Sequence, residues 1–175
     1  MMKRRSAIVL ALLICAALHA QSNRPTLKET LEWMHNAFPD SQSVTAVQFK
    51  ETREFNYVDG KDGASPSCTI TIIDRYKTDD GTPVARDTII DLSLIDPTSI
   101  ESYKEDIVVK GTGVMTLVAT NDKKVIIEKI ENKKDDKPYF TEREFISFVG
   151  TDYSDRFAQA FKNAVNLCGG KASTF

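Results

Sequence analysis

The chain has 175 residues, with 23 Lys and Arg against 25 Asp and Glu and a formal net charge of −2. Dispersed charge of both signs excludes the dense positive patch that nucleic acid or an anionic membrane surface attracts. One domain of this length buries roughly 70% of the surface of its unfolded chain, so no second domain is needed to form a core.

The first 20 residues have the layout of a secretory signal peptide. A basic start is followed by an apolar run over 7–18 and then by small residues. The apolar run is shorter than the about 20 residues that cross a bilayer as a helix. We therefore expect cleavage after Ala20, so that residues 1–20 are a leader and residues 21–175 form one exported domain, either periplasmic or fully secreted.

Two further expectations follow from this leader. The first is that Cys15 is not acylated, because a lipoprotein leader requires a small residue before its cysteine and Ile14 stands there. The leader holds three of the 23 basic residues and none of the 25 acidic ones, which leaves 20 basic and 25 acidic residues and a net charge of −5. We expect no nucleic-acid partner and no membrane span in the mature chain.

The first predicted element after the leader is a helix. Thr26 and Glu29 have the spacing of a capping box. Apolar residues then recur at helical spacing from Leu27 to Phe38, where Pro39 ends the run. About three helical turns are expected, which is near the mean length in globular proteins.

From Ser43 onward the apolar period changes to two, which predicts β-strands. We expect about seven of them, in the ranges Val47–Tyr57, Cys68–Ile73, Val84–Ile95, Ile100–Val109, Val114–Thr120, Val125–Glu131 and Phe145–Val149. The first and the fourth of these ranges each hold either one strand or two. The polar connection Asn121–Lys124 predicts a hairpin. No connection is long enough for a crossover helix, so the strands should pair antiparallel.

A closing helix is predicted from Ser154 to Cys168. Its apolar face consists of Phe157, Phe161, Ala164, Val165 and Cys168. Ser154 or Asp152 can cap the first turn, and the pair Gly169-Gly170 allows a left-handed exit.

Two cysteines remain when Cys15 leaves with the leader, and an exported chain with one such pair is expected to join Cys68 to Cys168. The bond would close a loop of about 100 residues, which the chain-entropy model values at on the order of 4.7 kcal/mol. A structural bond is favoured over redox or metal chemistry, because the sequence has neither a Cys-x-x-Cys spacing nor a cluster of histidines. Bridged Cα atoms lie about 5.5 Å apart, so the closing helix should lie across the strand that begins at Cys68.

Candidates for chemistry are few. His35 is the one histidine beyond the leader, and without a second histidine or a serine motif it is expected to be a boundary residue of the first helix. The stretch Asp59–Gly63 mixes carboxylates and glycines, but Lys61 and Gly63 stand where a calcium loop needs oxygen ligands. These residues are more typical of a turn.

Other polar motifs favour ordinary structure. The pair Gly111-x-Gly113 lacks the third glycine and the following helix of a phosphate-binding loop. The acidic pairs at 79–80 and 135–136 lie in predicted turns. The sequence therefore assigns no catalytic residue, no metal ligand and no cofactor.

Aromatic residues gather shortly before the closing helix. Tyr139, Phe140, Phe145 and Phe148 are expected to form a core with Phe157 and Phe161. The alternative is that they line a pocket for an apolar ligand.

The closing run joins Arg156, Ala158, Ala160, Phe161, Ala164 and Leu167 to Cys168-Gly169-Gly170-Lys171. It resembles the end of a group of secreted bacterial proteins of unassigned function that share a helix–strands–helix layout. The element order is similar to that of the pleckstrin-homology-like barrel, whose C-terminal helix plugs one open end. The expected fold is α+β: one antiparallel barrel or sandwich of about seven strands, with an N-terminal helix and a C-terminal helix packed on it or plugging it.

That resemblance implies binding of lipids, peptides or proteins through loops opposite the plug. Basic residues such as Lys50, Arg53, Arg75 and Lys77 form no dense patch for a phosphoinositide.

Three functions stay open. The preferred one, since no catalytic constellation is found, is a non-enzymatic exported module that binds a protein or envelope component through loops or a strand edge. The second is a carrier of a small apolar ligand or lipid, which requires a cavity between the sheet and the last helix. The third is an enzyme with scattered carboxylates, which requires two or more acidic side chains to converge in a cleft.

Overall fold

The computed structural model describes residues 24–38, 52–78, 80–105, 112–130, 137–149 and 151–174. Its helices and strands, in chain order, are α1 (Leu27–Ala37), β1 (Thr52–Tyr57), β2 (Thr69–Lys77), β3 (Pro83–Asp91), β4 (Glu101–Glu105), β5 (Thr112–Val118), β6 (Ile126–Ile130), β7 (Tyr139–Thr141), β8 (Arg143–Val149) and α2 (Thr151–Leu167). The predicted leader, Cys15 and the part of the first strand before Thr52 lie outside these residues. No helix within the described ranges is long and apolar enough to span a bilayer.

The described strands form two antiparallel sheets. One sheet has the order β1-β2-β3-β6-β7 and the other the order β4-β5-β8. The α+β class and the antiparallel pairing are confirmed, but these strands do not close into one barrel. The structure has eight described strands where the sequence predicted about seven. The additional strand, β7, contains only three residues, which is too few for an alternating pattern to indicate a strand.

The hairpin predicted across Asn121–Lys124 is wrong. Strand β5 pairs with β4 and β8, whereas β6 pairs with β3 and β7. The connection therefore carries the chain from one sheet to the other, and Asn121 turns it with a positive φ of 57°. A hairpin and a crossing between sheets need connections of similar length, so the polar composition could not distinguish them.

Strand β3 ends earlier than predicted. The Asp91 carboxylate accepts hydrogen bonds from the backbone N–H and the hydroxyl of Ser93, which turns the chain into a short 3₁₀ helix at Leu92–Leu94. Leu92 is buried while Leu94 is exposed, so these residues do not continue the alternation of the strand.

Helix α1 begins as the sequence predicted. The Thr26 hydroxyl accepts from the Glu29 backbone N–H, and the Glu29 carboxylate accepts from the Thr26 backbone N–H at 2.8 Å. These reciprocal bonds satisfy two of the free N–H groups at the start of a helix. Leu31 and Met34 are fully buried on its inner face.

Helix α2 begins at Thr151, three residues before the predicted start, so Ser154 is a buried residue within the helix and not its cap. Its exit follows the prediction, because Gly169 takes a φ of +79° and the Gly170 N–H donates to the Val165 carbonyl at 2.9 Å. Gly170 passes close to the carbonyl of Ile95, where an added Cβ would lie 2.7 Å from that oxygen.

Cys68 and Cys168, the two cysteines predicted to pair, are bonded, with their Cα atoms 5.7 Å apart. The predicted course of the helix is wrong, however, because α2 packs against β4, β5 and α1 instead of lying across β2. The disulfide joins the C-terminal end of α2 to the residue before β2. A disulfide fixes one point of contact and leaves the direction of the helix axis free.

The core between α1, α2 and the sheets is built from aromatic rings. The Phe157 ring lies 5.2 Å from Phe148, 5.3 Å from Phe38 and 5.2 Å from Trp33. Of the four aromatic residues before α2 that were expected in this core, Phe148 is fully buried while Tyr139, Phe140 and Phe145 are exposed. The prediction was wrong for these three because aromatic content alone does not tell which face of a strand is inward.

Reduction of the disulfide should destabilise the protein. The closed loop is long, with a separation of 100 residues, and a loss of on the order of 2–4 kcal/mol is expected from the freed unfolded chain. For a domain of this size the melting temperature should fall by roughly 5–15 °C. Thermal unfolding with and without reductant measures this, and an unchanged melting temperature in a Cys68→Ser/Cys168→Ser variant would contradict it.

Truncation of Phe157 should destabilise the core far more than truncation of an exposed ring. Phe157→Ala leaves a cavity among Phe38, Phe148 and Trp33 and should cost about 3–5 kcal/mol. Phe140→Ala is the matched control, because 54% of that residue is exposed, and it should change the free energy of unfolding by less than about 1 kcal/mol. Urea denaturation compares the two, and equal losses would show that the ring core is misplaced.

Candidate functional site

A row of alternating charges crosses the inner face of the larger sheet. The strand register places Arg53 of β1 opposite Asp74 of β2, and Asp74 opposite Arg86 of β3. Side chains directly opposite on neighbouring antiparallel strands lie close enough to interact. Two residues further along, the same face carries the buried apolar side chains of Phe55 and Ile72. The inner face is thus apolar at one end and charged at the other.

Arg53 connects this row to the second sheet. Its side chain is 4% exposed, and its Nε donates to Asp74 Oδ1 at 2.9 Å. Its Nη1 donates to the backbone carbonyl of Ser147 in β8 at 3.1 Å. The guanidinium carbon lies 4.5 Å from the ring centre of Phe38 and 5.3 Å from that of Phe148, within the range of a cation–π contact. Arg53 therefore separates the aromatic core from the charged region.

Arg86 faces two carboxyl groups. Its Nη2 is hydrogen-bonded to Glu144 of β8, whose side chain is 5% exposed. Its Nε lies 3.5 Å from Glu128 Oε2 in β6 and, although buried, makes no hydrogen bond in the part of the chain that the structure describes. A buried donor without an acceptor is costly, so this N–H is an open position for an acceptor.

The protonation of Glu144 is finely balanced. Burial is the largest influence and raises the pKa of its carboxyl group; the Arg86 charge opposes burial, the nearby Glu128 adds to it, and the resulting pKa is about 7. Near neutral pH this carboxyl group therefore exists in both protonation states.

A cavity of about 190 Å³ lies between the charged row and β8. Besides the charged side chains, Tyr76 and Thr88 line it from the sheet, and the consecutive residues 144–147 line it from β8. Successive side chains point to opposite faces of a strand, so four consecutive residues can border one cavity only along an edge of that strand. In the described structure β5 pairs with one edge of β8, which leaves the other edge to the cavity. We call this cavity, with Arg53, Asp74, Arg86 and Glu144 around it, the charged cleft; Glu128 lies beside it, in contact with Arg86 and Glu144.

No protein-family model, curated protein or solved structure matches this chain. Its function is therefore inferred from the chemistry of the charged cleft.

The candidates singled out from the sequence lie elsewhere. His35 Nδ1 is hydrogen-bonded to the Phe55 carbonyl, and its ring stands edge-on to Tyr57, as a boundary residue would. Asp59 accepts a hydrogen bond from Lys28 Nζ at 3.0 Å. Within the described ranges no group of three His, Cys, Asp or Glu is arranged to hold a metal ion.

The remaining motifs are only partly within the described residues. Asp80 accepts from the Thr82 backbone N–H at 3.0 Å and so closes the turn between β2 and β3. Gly113 lies in β5, opposite Phe148. Gly111, Asp79 and the acidic pair at 135–136 lie outside the described residues.

The charged cleft was not predicted, yet the sequence holds a signal for it. Three of its members are in phase with inward apolar residues: Arg53 with Phe55, Asp74 with Ile72, and Glu144 with Ile146. A charged residue at an inward position of an alternating strand predicts a buried charge. The inward position of these charges could therefore be predicted from the sequence. Which strands lie next to each other, and so which charges meet, could not.

A second, more open groove of about 670 Å³ runs along α1 and α2 and is lined mainly by apolar atoms. Several of its polar side chains are already engaged: Asn163 donates to the Thr30 hydroxyl at 2.8 Å, and the Arg156 guanidinium lies over the rings of Trp33 and Tyr153. The charged cleft, with an open donor and a carboxyl group that titrates near neutrality, is therefore the stronger candidate site.

The stability of the protein should fall as pH rises from about 4.5 to about 7, because of Glu144. Its folded-state pKa of about 7 exceeds the ordinary value of 4.5, so between these values the folded state holds a proton that the unfolded state has lost. The free energy of unfolding therefore decreases as the pH rises to about 7, by on the order of 3 kcal/mol in total. The charged groups that act on Glu144 are Arg86 and Glu128, and Arg53 and Asp74 line the same cavity.

Urea denaturation of wild type and Glu144→Gln between pH 5 and pH 8 measures this effect. The variant lacks the titrating group, so its free energy of unfolding relative to wild type should increase with pH. Glu54→Gln is the control, because Glu54 pairs with Arg75 on the exposed side of β1 and β2. Parallel pH profiles for wild type and Glu144→Gln would show that Glu144 titrates normally.

Proposed function

We propose that the chain is an exported, non-enzymatic binding module whose ligand occupies the charged cleft. The observation that carries this proposal is the cavity of about 190 Å³ bordered by the charged side chains of Arg53, Asp74, Arg86 and Glu144, of which Arg86 has a buried N–H without an acceptor among the described residues. Export is supported by the leader pattern and by the disulfide, since disulfides persist in oxidising compartments outside the cytosol.

The cost of burying these charges supports a role beyond packing. Moving ionised side chains from water to a protein interior costs several kcal/mol each, and well-packed apolar residues are often at least as stable in their place. The same face carries apolar residues two positions away along each of β1, β2 and β8, so an apolar wall was sterically available. A binding site for a polar ligand accounts for the charges that packing does not require.

The size of the cleft limits what can enter it. A volume of about 190 Å³ is below the range of roughly 300–1,000 Å³ that is usual for drug-sized ligands. The proposed ligand is therefore a small polar group, either a free molecule or the exposed end of a larger envelope component or partner protein. Phe145, which is 51% exposed and lines the cleft, offers an apolar rim for the rest of such a partner.

The cavity expected for an apolar carrier would lie between a sheet and the last helix. In the described structure that region holds the fully buried rings of Phe38, Phe157 and Phe161. The polar walls of the charged cleft support a polar ligand instead of a lipid.

A second candidate function is favoured by one observation. Glu144 lines the cleft, its carboxyl group is hydrogen-bonded to that of Glu128, and its pKa is about 7, so two carboxyl groups converge as an enzyme with paired carboxylates requires. A group that gains and loses a proton near neutral pH suits general acid–base catalysis. It remains the second candidate because both carboxyl groups are engaged by Arg86.

Mass spectrometry of the protein purified from its native envelope tests the proposal. A small polar compound should accompany wild type and Glu54→Gln and should be lost from Glu144→Gln, since only the last substitution changes the charged cleft. If wild type carries no compound, or if Glu144→Gln retains it equally, the cleft is not the binding site. For an enzyme, incubation with wild type would chemically alter the compound, while Glu144→Gln would leave it unaltered.

A further inference from the structure

The charges that line the cleft balance. Arg53 is paired with Asp74 at 2.9 Å, and Arg86 is hydrogen-bonded to Glu144. Glu128, beside the cleft, is hydrogen-bonded to Glu144, and a hydrogen bond between two carboxyl groups requires a proton on one of them. The two glutamates then carry one negative charge, which Arg86 matches. A ligand with a net charge would enter without a counter-charge, so the cleft favours an uncharged ligand.

The cleft nevertheless offers hydrogen-bonding groups of both kinds. The buried Arg86 Nε–H is a donor without an acceptor among the described residues. Asp74 accepts from Arg53 through Oδ1, while its Oδ2 accepts no hydrogen bond from the described part of the chain. The hydroxyls of Tyr76 and Thr88 line the cavity, likewise without a partner within the described ranges. Uncharged groups that both donate and accept, above all hydroxyl groups, complement such a wall.

The size and the rim of the cleft narrow the ligand further. A cavity of about 190 Å³ has the volume of about six liquid water molecules, at roughly 30 Å³ each, so it admits no more than one small ring with its hydroxyl groups. Phe145 lines the cavity and is half exposed. An exposed aromatic ring beside polar groups provides an apolar surface against which the C–H face of a sugar ring can pack.

From the balanced charges, the open hydrogen-bonding groups and the exposed ring we infer that the charged cleft binds a single neutral sugar residue. Its hydroxyl groups accept from Arg86 Nε and donate to Asp74 Oδ2, and one face of its ring packs on Phe145. The sugar is either a free monosaccharide or the terminal residue of an envelope glycan. This inference rests on the proposed function and names the chemistry of its ligand.

Other classes of ligand fit less well. A metal ion needs several closely placed ligands, and no group of three His, Cys, Asp or Glu has that arrangement among the residues that the structure describes. A zwitterion such as an amino acid would have to separate the existing pairs of Arg53 with Asp74 and of Arg86 with Glu144 to pair its own charges. A hydrocarbon would leave the polar walls without partners.

Hexoses of similar size and different charge test the inference. The protein, expressed from its full sequence and purified in its disulfide-bonded form, is titrated with glucose, galactose and mannose while its amide NMR spectrum is recorded. The titrations are made at pH 6, below the pKa of about 7 of Glu144. Each hexose is compared with its 2-amino and its 6-carboxylate counterpart. At least one neutral hexose should shift the resonances of residues around the cleft, with an affinity on the order of millimolar. It should bind at least tenfold more tightly than both of its charged counterparts.

Two pairs of variants make the test specific. Phe145→Ala removes the ring at the rim and should weaken binding of that hexose roughly fivefold or more, whereas Phe140→Ala, at an exposed ring outside the cleft, should leave it unchanged. Thr88→Val removes a cleft hydroxyl at nearly constant shape and should weaken binding by a similar factor. Thr69→Val, at the exposed start of β2, should not. The amide spectra of the free variants verify that each variant is folded.

The methyl glycoside of the same hexose separates the two sources of the sugar. Its anomeric oxygen carries a substituent, as it does in the terminal residue of a glycan. Binding as tight as that of the free hexose supports a glycan end as the ligand, and loss of binding supports a free monosaccharide. Both results support a sugar site.

The outcomes separate this inference from the proposed function. If a charged counterpart binds the cleft as tightly as its neutral hexose, the inference is overturned while a binding role for the cleft is retained. Hexose binding that is undiminished in both Phe145→Ala and Thr88→Val likewise overturns it. If no hexose shifts the cleft resonances, the inference also fails, and the compound recovered from the native envelope decides the proposed function independently.

Discussion

The packing of the two sheets depends on a row of charged side chains buried between them. Arg53, Asp74 and Arg86 stand opposite one another on three neighbouring strands, and Arg53 and Arg86 each reach across to β8. These contacts hold the two sheets at a distance that admits a polar cavity, while the other half of the interior is closed by aromatic rings. Burial of the row is favourable only because its guanidinium and carboxyl groups satisfy one another, so the register of the strands and the polar contacts must form together.

The elements that could be predicted from sequence are those with local causes. The capping box of Thr26 and Glu29, the left-handed exit at Gly169 and the antiparallel pairing follow from residues close together in the chain. Placement of elements was less predictable because it depends on contacts between distant residues. The connection at Asn121 was compatible with a hairpin, and one bond at Cys168 could not orient a helix of 17 residues.

The charged cleft falls between these two cases. That Arg53, Asp74, Arg86 and Glu144 point inward follows from the alternation of apolar residues around them, and this part was predictable. That they meet at one cavity depends on the pairing of β1, β2 and β3 and on the position of β8 in the other sheet. Charged residues are rarely buried without partners, and the sequence alone does not tell which residues partner these charges.

The contact of Arg53 with the aromatic core gives the protein an optical property. The Arg53 guanidinium lies against Phe148, Phe148 stacks on Phe157 at 5.2 Å, and Phe157 contacts Trp33 at 5.2 Å. Trp33 is the single tryptophan of the chain. A displacement of Arg53 can therefore change the packing around Trp33 through this chain of contacting rings. The emission wavelength and intensity of an indole ring vary with its surroundings. We expect a ligand that displaces Arg53 to change the intrinsic fluorescence of the protein, which can be followed without a label.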